Sequence, residues 1–212
     1  DWNDQHYALS PYKLSCITIE GMRRLLEESH LLPLQQGEPL PNLDERCRLW
    51  NELGQGLLQR FHGRALQLIQ SCQRSADYLV YLLLQTFPGF HDTAIDDTGR
   101  QVFFYKRAQI LVGDLWASLR SRCTYCDFYD IHKLTMFPDY RVPQLLRHMQ
   151  ILIYSPTLAQ QIDSQEVLTA GSMDELYIRA ATVVAVEQMV QVIKDTLSYK
   201  TSNSNESPPL LC

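Results

Sequence analysis

The stretch MFPDYRVPQ, residues 136–144, sets one carboxylate, Asp139, behind Phe137 and Pro138 and ahead of Tyr140 and Arg141. A surface turn uses an Asp but needs no apolar wall. A core segment uses the wall but excludes the charge. A chemical site uses both, because a carboxylate in a partly dry pocket is held under tension by desolvation. The competing reading is a carboxylate that caps a loop.

Two other clusters could serve the same ligand. Phe90-His91-Asp92 follows the breaker Pro88-Gly89. Phe90 offers a face on which a flat heterocycle can stack, and Asp92 can accept a pair of hydrogen bonds from the edge of a guanine-like base. The alternative is an Asx-type turn with a packed aromatic. In Tyr105-Lys106-Arg107 two cations fall in the first turn of an expected helix, where the macrodipole is positive and each is disfavoured by a few tenths of a kcal/mol, roughly. That placement fits an anionic partner at the helix start, or simply a solvated helix end. No Walker loop, GxGxxG, GxSxG or HExxH is present. Cys123-Thr-Tyr-Cys126 is a single CxxC with no second pair, so it is read as packing, and neither a metal nor an organic cofactor is expected.

Helices must position these groups. After Asn42-x-x-Glu45, which has the form of a capping box, Leu43, Cys47, Trp50, Gly54, Leu57 and Phe61 recur on one face. A shorter helix is expected near Ala65 to Cys72. Ser75 caps the next, whose nearly continuous apolar run Tyr78 to Leu84 predicts burial on more than one side. Asp96-Asp-Thr-Gly99 is a turn signal, so a small β-hairpin is expected near 93–104. The helical period returns with Phe104, Ala108, Leu111, Leu115 and Leu119. Residues 121–141 are irregular, with one turn near Ile131 to Leu134. Pro143 opens a helix to about Gln150, Ser155-Pro156 starts another, and Ser172-x-x-Glu175 opens a long one to about Lys200. Thr18 caps a helix carrying Met22, Leu25 and Leu26. The expectation is an all-α single domain over 1–198 and a disordered polar tail over 199–212.

Composition bounds the partners. A net charge of -5 gives no basic field for nucleic-acid backbones, so no direct nucleic-acid partner is expected. A small phosphorylated ligand held by two or three cations remains compatible. No uninterrupted apolar run approaches the length needed to cross a bilayer, and the acidic start Asp1-Trp-Asn-Asp has no apolar region behind it. A cytoplasmic protein with reduced thiols, away from membranes, is the expectation.

Taken together, FYKRAQILVGDLW (104–116), DIHKLTMFPDYRVPQ (130–144) and YS (154–155) resemble the queuosine salvage family, the queuosine 5'-phosphate N-glycosylase/hydrolases. The resemblance runs from about Tyr12 to about Leu197 and includes LDERCRLWNELGQGLL. It implies an all-α fold similar to the helical DNA glycosylases. It also implies hydrolysis of the N-glycosidic bond of queuosine 5'-phosphate, which releases queuine for tRNA modification without a cofactor. On the matching positions the resemblance implies that Asp139 is the catalytic carboxylate, and that Lys106 of the YKRAQ motif is a second catalytic residue that either holds Asp139 ionised or meets the phosphate. It implies too that Phe90 and Asp92 recognise the 7-deazaguanine base, and that Arg141 and Arg107 are weaker phosphate candidates or loop anchors. Pro138 stands where the family usually has a small residue. Family chains also extend further at both ends, with a pocket-lining N-terminal segment and an acidic-aromatic motif after the last helix. A chain lacking them is expected to bury ligand less completely. A truncated form of weak or absent activity, acting as a helical binding protein, is therefore one alternative, and a glycosylase acting on nucleobases in nucleic acid is another.

Overall fold

The computed structural model describes residues 10–28 and 40–203. They are mostly helical, as expected, with one two-stranded sheet. They fall into two compact units. The first holds the chain to His91 and then Arg107–Leu134; the second holds Asp92–Lys106 and the chain from Thr135.

In the first unit α1 (Pro11–Cys16) and α2 (Ile19–Glu28) precede α3 (Leu43–Phe61), α4 (Ala65–Ser71) and α5 (Ala76–Thr86). The unit also takes α6 (Lys106–Leu119) from Arg107 onward, and single 3-10 turns at Thr124–Cys126 and Ile131–Lys133. Thr18 caps α2 by accepting from the Gly21 N–H at 3.1 Å. The expected capping box at Asn42 does not form. Asn42 is left-handed (φ 55°) and makes no side-chain cap bond, and Glu45 instead takes both Nε and Nη2 of Arg48 at 2.7 Å. An i, i+3 ion pair on the same helix outcompetes the reach back to a backbone N–H. The periodic face of α3 is buried through Leu43, Cys47, Gly54, Leu57 and Phe61, with Met22 and Leu26 of α2 packed on its first turns. In α5 the all-round burial expected from the sequence is not found. Ala76, Leu79, Val80, Leu82 and Leu83 are buried, but Tyr78 and Tyr81 stack on each other at the surface, 5.7 Å apart. A tyrosine can cover its neighbour's ring and keep its hydroxyl in water, so an apolar run containing tyrosines does not require two buried faces.

Gly54 marks the closest backbone approach. A Cβ there would lie 2.3 Å from the Ser15 nitrogen and 2.5 Å from the Pro11 carbonyl oxygen. Backbone cannot step aside as a side-chain tip can, so α1 must lift off α3 to make room. Gly54→Ala is expected to destabilise the protein by about 2 kcal/mol, read from denaturant midpoints. An unchanged midpoint would show that α1 is not seated as described.

Five described cysteines are free thiols. Cys126 is buried, and its thiol is pushed up to about 11, first by that burial and then by the neighbouring Cys123. Among the described residues no group of three or more His, Cys, Asp or Glu is arranged to hold a metal.

In the second unit β1 (Thr93–Ile95) pairs antiparallel with β2 (Gln101–Phe103), Ala94 facing Val102. Asp96 makes the turn: its Oδ1 accepts from the Thr98 hydroxyl and from the N–H groups of Thr98 and Arg100. The hydroxyl first, then the Arg100 N–H, hold its carboxyl down at about 2. Then follow α7 (Arg141–His148), α8 (Pro156–Asp163, capped by Ser155) and α9 (Met173–Asn203). Leu146, Leu152 and Ala185 form a core with Val142, Tyr154, Val186 and Met189 against it. Ser172 caps α9 through the Glu175 N–H, while Glu175 reaches back one residue further than a capping box does, to the Gly171 N–H. The stretch Met173–Ser198 is long and apolar enough, by length and composition alone, to cross a bilayer. Asp174, Glu175, Arg179, Glu187, Lys194 and Asp195 interrupt it, which is why it does not register as an apolar run in the sequence. Residues 204–212 of the tail expected to be disordered lie outside the described residues.

Candidate active site

Asp92 opens the hairpin, and Lys106 follows its second strand by three residues. The two are tied through the backbone. The Asp92 carbonyl accepts from the N–H groups of Phe104 (2.9 Å) and Tyr105 (3.2 Å), and its carboxylate Oδ2 accepts from the Lys106 N–H at 3.1 Å. Tyr105 is left-handed, φ 49°, a conformation that is disfavoured by about 1 kcal/mol without a glycine. Three consecutive N–H groups anchored on one residue hold it there. The carboxylate partner expected at this helix start is thus Asp92 itself, and it meets the backbone rather than the ammonium.

A third residue, which the sequence reading did not single out, completes the arrangement. Arg179 of α9 grips Asp92 with both ends of its guanidinium, Nη1 to Oδ1 at 2.9 Å and Nη2 to Oδ2 at 2.5 Å. The pair is largely buried, with side chains 16% and 20% exposed. The Arg179 guanidinium carbon also lies 4.0 Å from the centroid of the buried Phe104 ring. A forked, charge-assisted pair of this kind fixes the carboxylate in orientation as well as in place. A lone cation inside the apolar run LYIRAATVVAV was the available signal.

Asp139 is half-buried, next to buried Pro138 and half-buried Phe137. Its Oδ1 accepts from the N–H groups of Arg141 (2.8 Å) and Val142 (3.0 Å) and so caps the start of α7. The structure therefore shows the capping carboxylate. Oδ2 has no hydrogen-bond partner among the described residues. Neither does the ammonium of half-buried Lys106, and among those residues no ion pair joins it to Asp139. Arg141 is exposed, its guanidinium 5.1 Å from the Tyr140 ring centroid, and it meets Asp139 only through its backbone N–H.

Phe90 belongs to the first unit. It ends a 3-10 turn, Pro88–Phe90, whose Gly89 N–H donates to Glu52 Oε1 at 2.6 Å. Its half-buried ring meets buried Phe87 edge-on, centroids 6.0 Å apart, and the His91 Nε2–H donates to the Leu84 carbonyl at 2.9 Å. Glu52, unlike Arg179, carries no local sequence signal for this work.

The chain matches the queuosine salvage protein family over residues 4–208. It is 48% identical over 153 residues to a Dictyostelium discoideum protein named queuosine 5'-phosphate N-glycosylase/hydrolase, covering 72% of this chain and 47% of that one. Proteins of the same name from Sphaerobacter thermophilus and Mus musculus are 45% identical over 154 residues and 39% over 170. Those alignments cover 73% and 80% of this chain, and 47% and 48% of theirs. The chain thus spans about half the length of the curated relatives it matches. Across nearly its whole length it belongs to the queuosine salvage protein family.

Proposed function

We propose that this chain hydrolyses the N-glycosidic bond of queuosine 5'-phosphate, releasing queuine and ribose 5-phosphate. The reading is carried by the activity for which its relatives are named, and it is supported by the half-buried carboxylate of Asp139 with Oδ2 unpartnered among the described residues. As the bond from the anomeric carbon to the base nitrogen breaks, its electrons leave with the base and positive charge grows on the ribose. A fixed carboxylate beside that carbon stabilises the oxocarbenium character. Water then adds at the same carbon and gives its proton to Asp139; the departed base nitrogen takes up a proton from solvent and Asp139 returns its own to solvent, so that neutral queuine and ribose 5-phosphate are released. Asp139 can do this while Oδ1 stays engaged with α7, because only the other oxygen need face the sugar. In this reading Lys106 supplies its ammonium to the 5'-phosphate, with Arg141 as a second cation, and Asp92 receives the base.

Purified protein incubated with queuosine 5'-phosphate is expected to yield free queuine and ribose 5-phosphate in equal amounts, resolved by liquid chromatography and mass spectrometry. Ligand binding without release would make this a non-catalytic binding form of the fold. Salt-sensitive binding to oligonucleotides with no release would favour a nucleic-acid substrate instead.

A further inference from the structure

Arg179 has no place in the chemistry just proposed, yet it makes a forked and largely buried polar contact in the second unit. It forks onto both oxygens of Asp92, lies against the ring of buried Phe104, and has Glu175 Oε1 4.0 Å away on its own helix. Asp92 in turn takes three consecutive N–H groups, those of Phe104, Tyr105 and Lys106. The contacts form a chain: α9 holds Arg179, Arg179 holds the Asp92 carboxylate, and Asp92 holds the backbone at Lys106 through its left-handed neighbour Tyr105. We infer that Arg179 is the positioning residue of this site, setting Asp92 and Lys106 for ligand binding without touching the reacting atoms. Buried in this way, the guanidinium gives the carboxylate a fixed orientation that water would not. Without it, Asp92 can rotate about its own side-chain bonds, and the Lys106 N–H loses a partner held in place. Lysine cannot substitute fully, because it offers a point charge where the fork is needed.

The inference rests on the function proposed above, and two measurements keep the two separable. The first is kinetic. Arg179→Gln is expected to raise KM for queuosine 5'-phosphate about tenfold or more with kcat nearly unchanged, because ligand placement suffers while Asp139 is untouched. Arg179→Lys is expected to fall between the variant and the native protein. A general loss of folded protein would instead lower the apparent kcat and leave KM alone, and that result would overturn the inference. The second needs no activity. Amide hydrogen exchange at Lys106 is expected to speed up about tenfold or more in Arg179→Gln, with exchange at the Ala185 amide in the α9 core unchanged. Equal exchange at Lys106 overturns the inference whatever the assay shows. Absence of turnover in the native protein overturns the function alone, and the exchange result then decides the role of Arg179. If Arg179→Gln does not fold, the same two measurements on Arg179→Lys decide it, with smaller shifts of the same sign expected.

Discussion

Replacing Asp139 with Asn is expected to slow queuine release by about a thousandfold, with binding of queuosine 5'-phosphate and the melting temperature nearly unchanged. The asparagine separates the two tasks that one side chain performs. Its amide oxygen still accepts from the N–H groups of Arg141 and Val142, which Oδ1 of Asp139 accepts now. Asn and Asp are comparable helix caps, so α7 should stay in place. The charge is lost, and with it the stabilisation of the oxocarbenium and the acceptor for the proton of water. Asp139→Ala loses both tasks: the same fall in rate, together with about 1 kcal/mol of stability from the missing cap. Should Asp139→Asn turn over within a few-fold of the native protein, Asp139 would be a cap and nothing more, and the catalytic carboxylate would have to be sought elsewhere.

The largest expected effect on stability belongs to a residue with no part in the chemistry. Asp130 is only 2% exposed. Its Oδ1 accepts from the Ala76 N–H at 2.6 Å and its Oδ2 from the Ser75 hydroxyl at 2.7 Å. Ser75 in turn accepts from the Tyr78 N–H, so one carboxylate organises the whole first turn of α5. Asp130→Ala leaves a buried hydroxyl and a buried N–H without acceptors and is expected to cost about 3 kcal/mol, measured by denaturant unfolding.

The same carboxylate gives a pH signature. Burial by itself would raise its pKa, but the Ser75 hydroxyl and the N–H groups of Ala76 and Asp77 outweigh burial and leave it lowered. A group with a depressed folded value contributes stability above the ordinary carboxylate value and loses it as pH falls through the lower folded one. The native protein should therefore lose stability as pH drops below about 4, and Asp130→Ala should lose less over the same range. Equal acid sensitivity in the two proteins would mean that other carboxylates govern acid unfolding.

Much of the helical framework was legible because its signals act within one turn of chain. Thr18, Ser75, Ser155 and Ser172 each cap the helix that follows by bonding an N–H three residues on, and each was marked by residue type alone. The hairpin followed from Asp96 and Gly99 for the same reason. Asn42 failed as a cap although its spacing to Glu45 was right, because its backbone is left-handed rather than in the extended conformation of a capping residue. The 136–144 segment announced Asp139 through its mixture of charge and apolar wall, but that one of its oxygens caps the following helix could not be read from composition.

What the tertiary structure alone decided are the pairings between residues distant in the chain. Arg179 and Asp92 are 87 residues apart, Ser75 and Asp130 are 55, and Glu52 and Gly89 are 37. No periodicity or capping rule spans such intervals. Each pairing exists because helices bury their apolar faces first, and a polar side chain carried inward by that burial must take whichever partner the packing brings within hydrogen-bond reach.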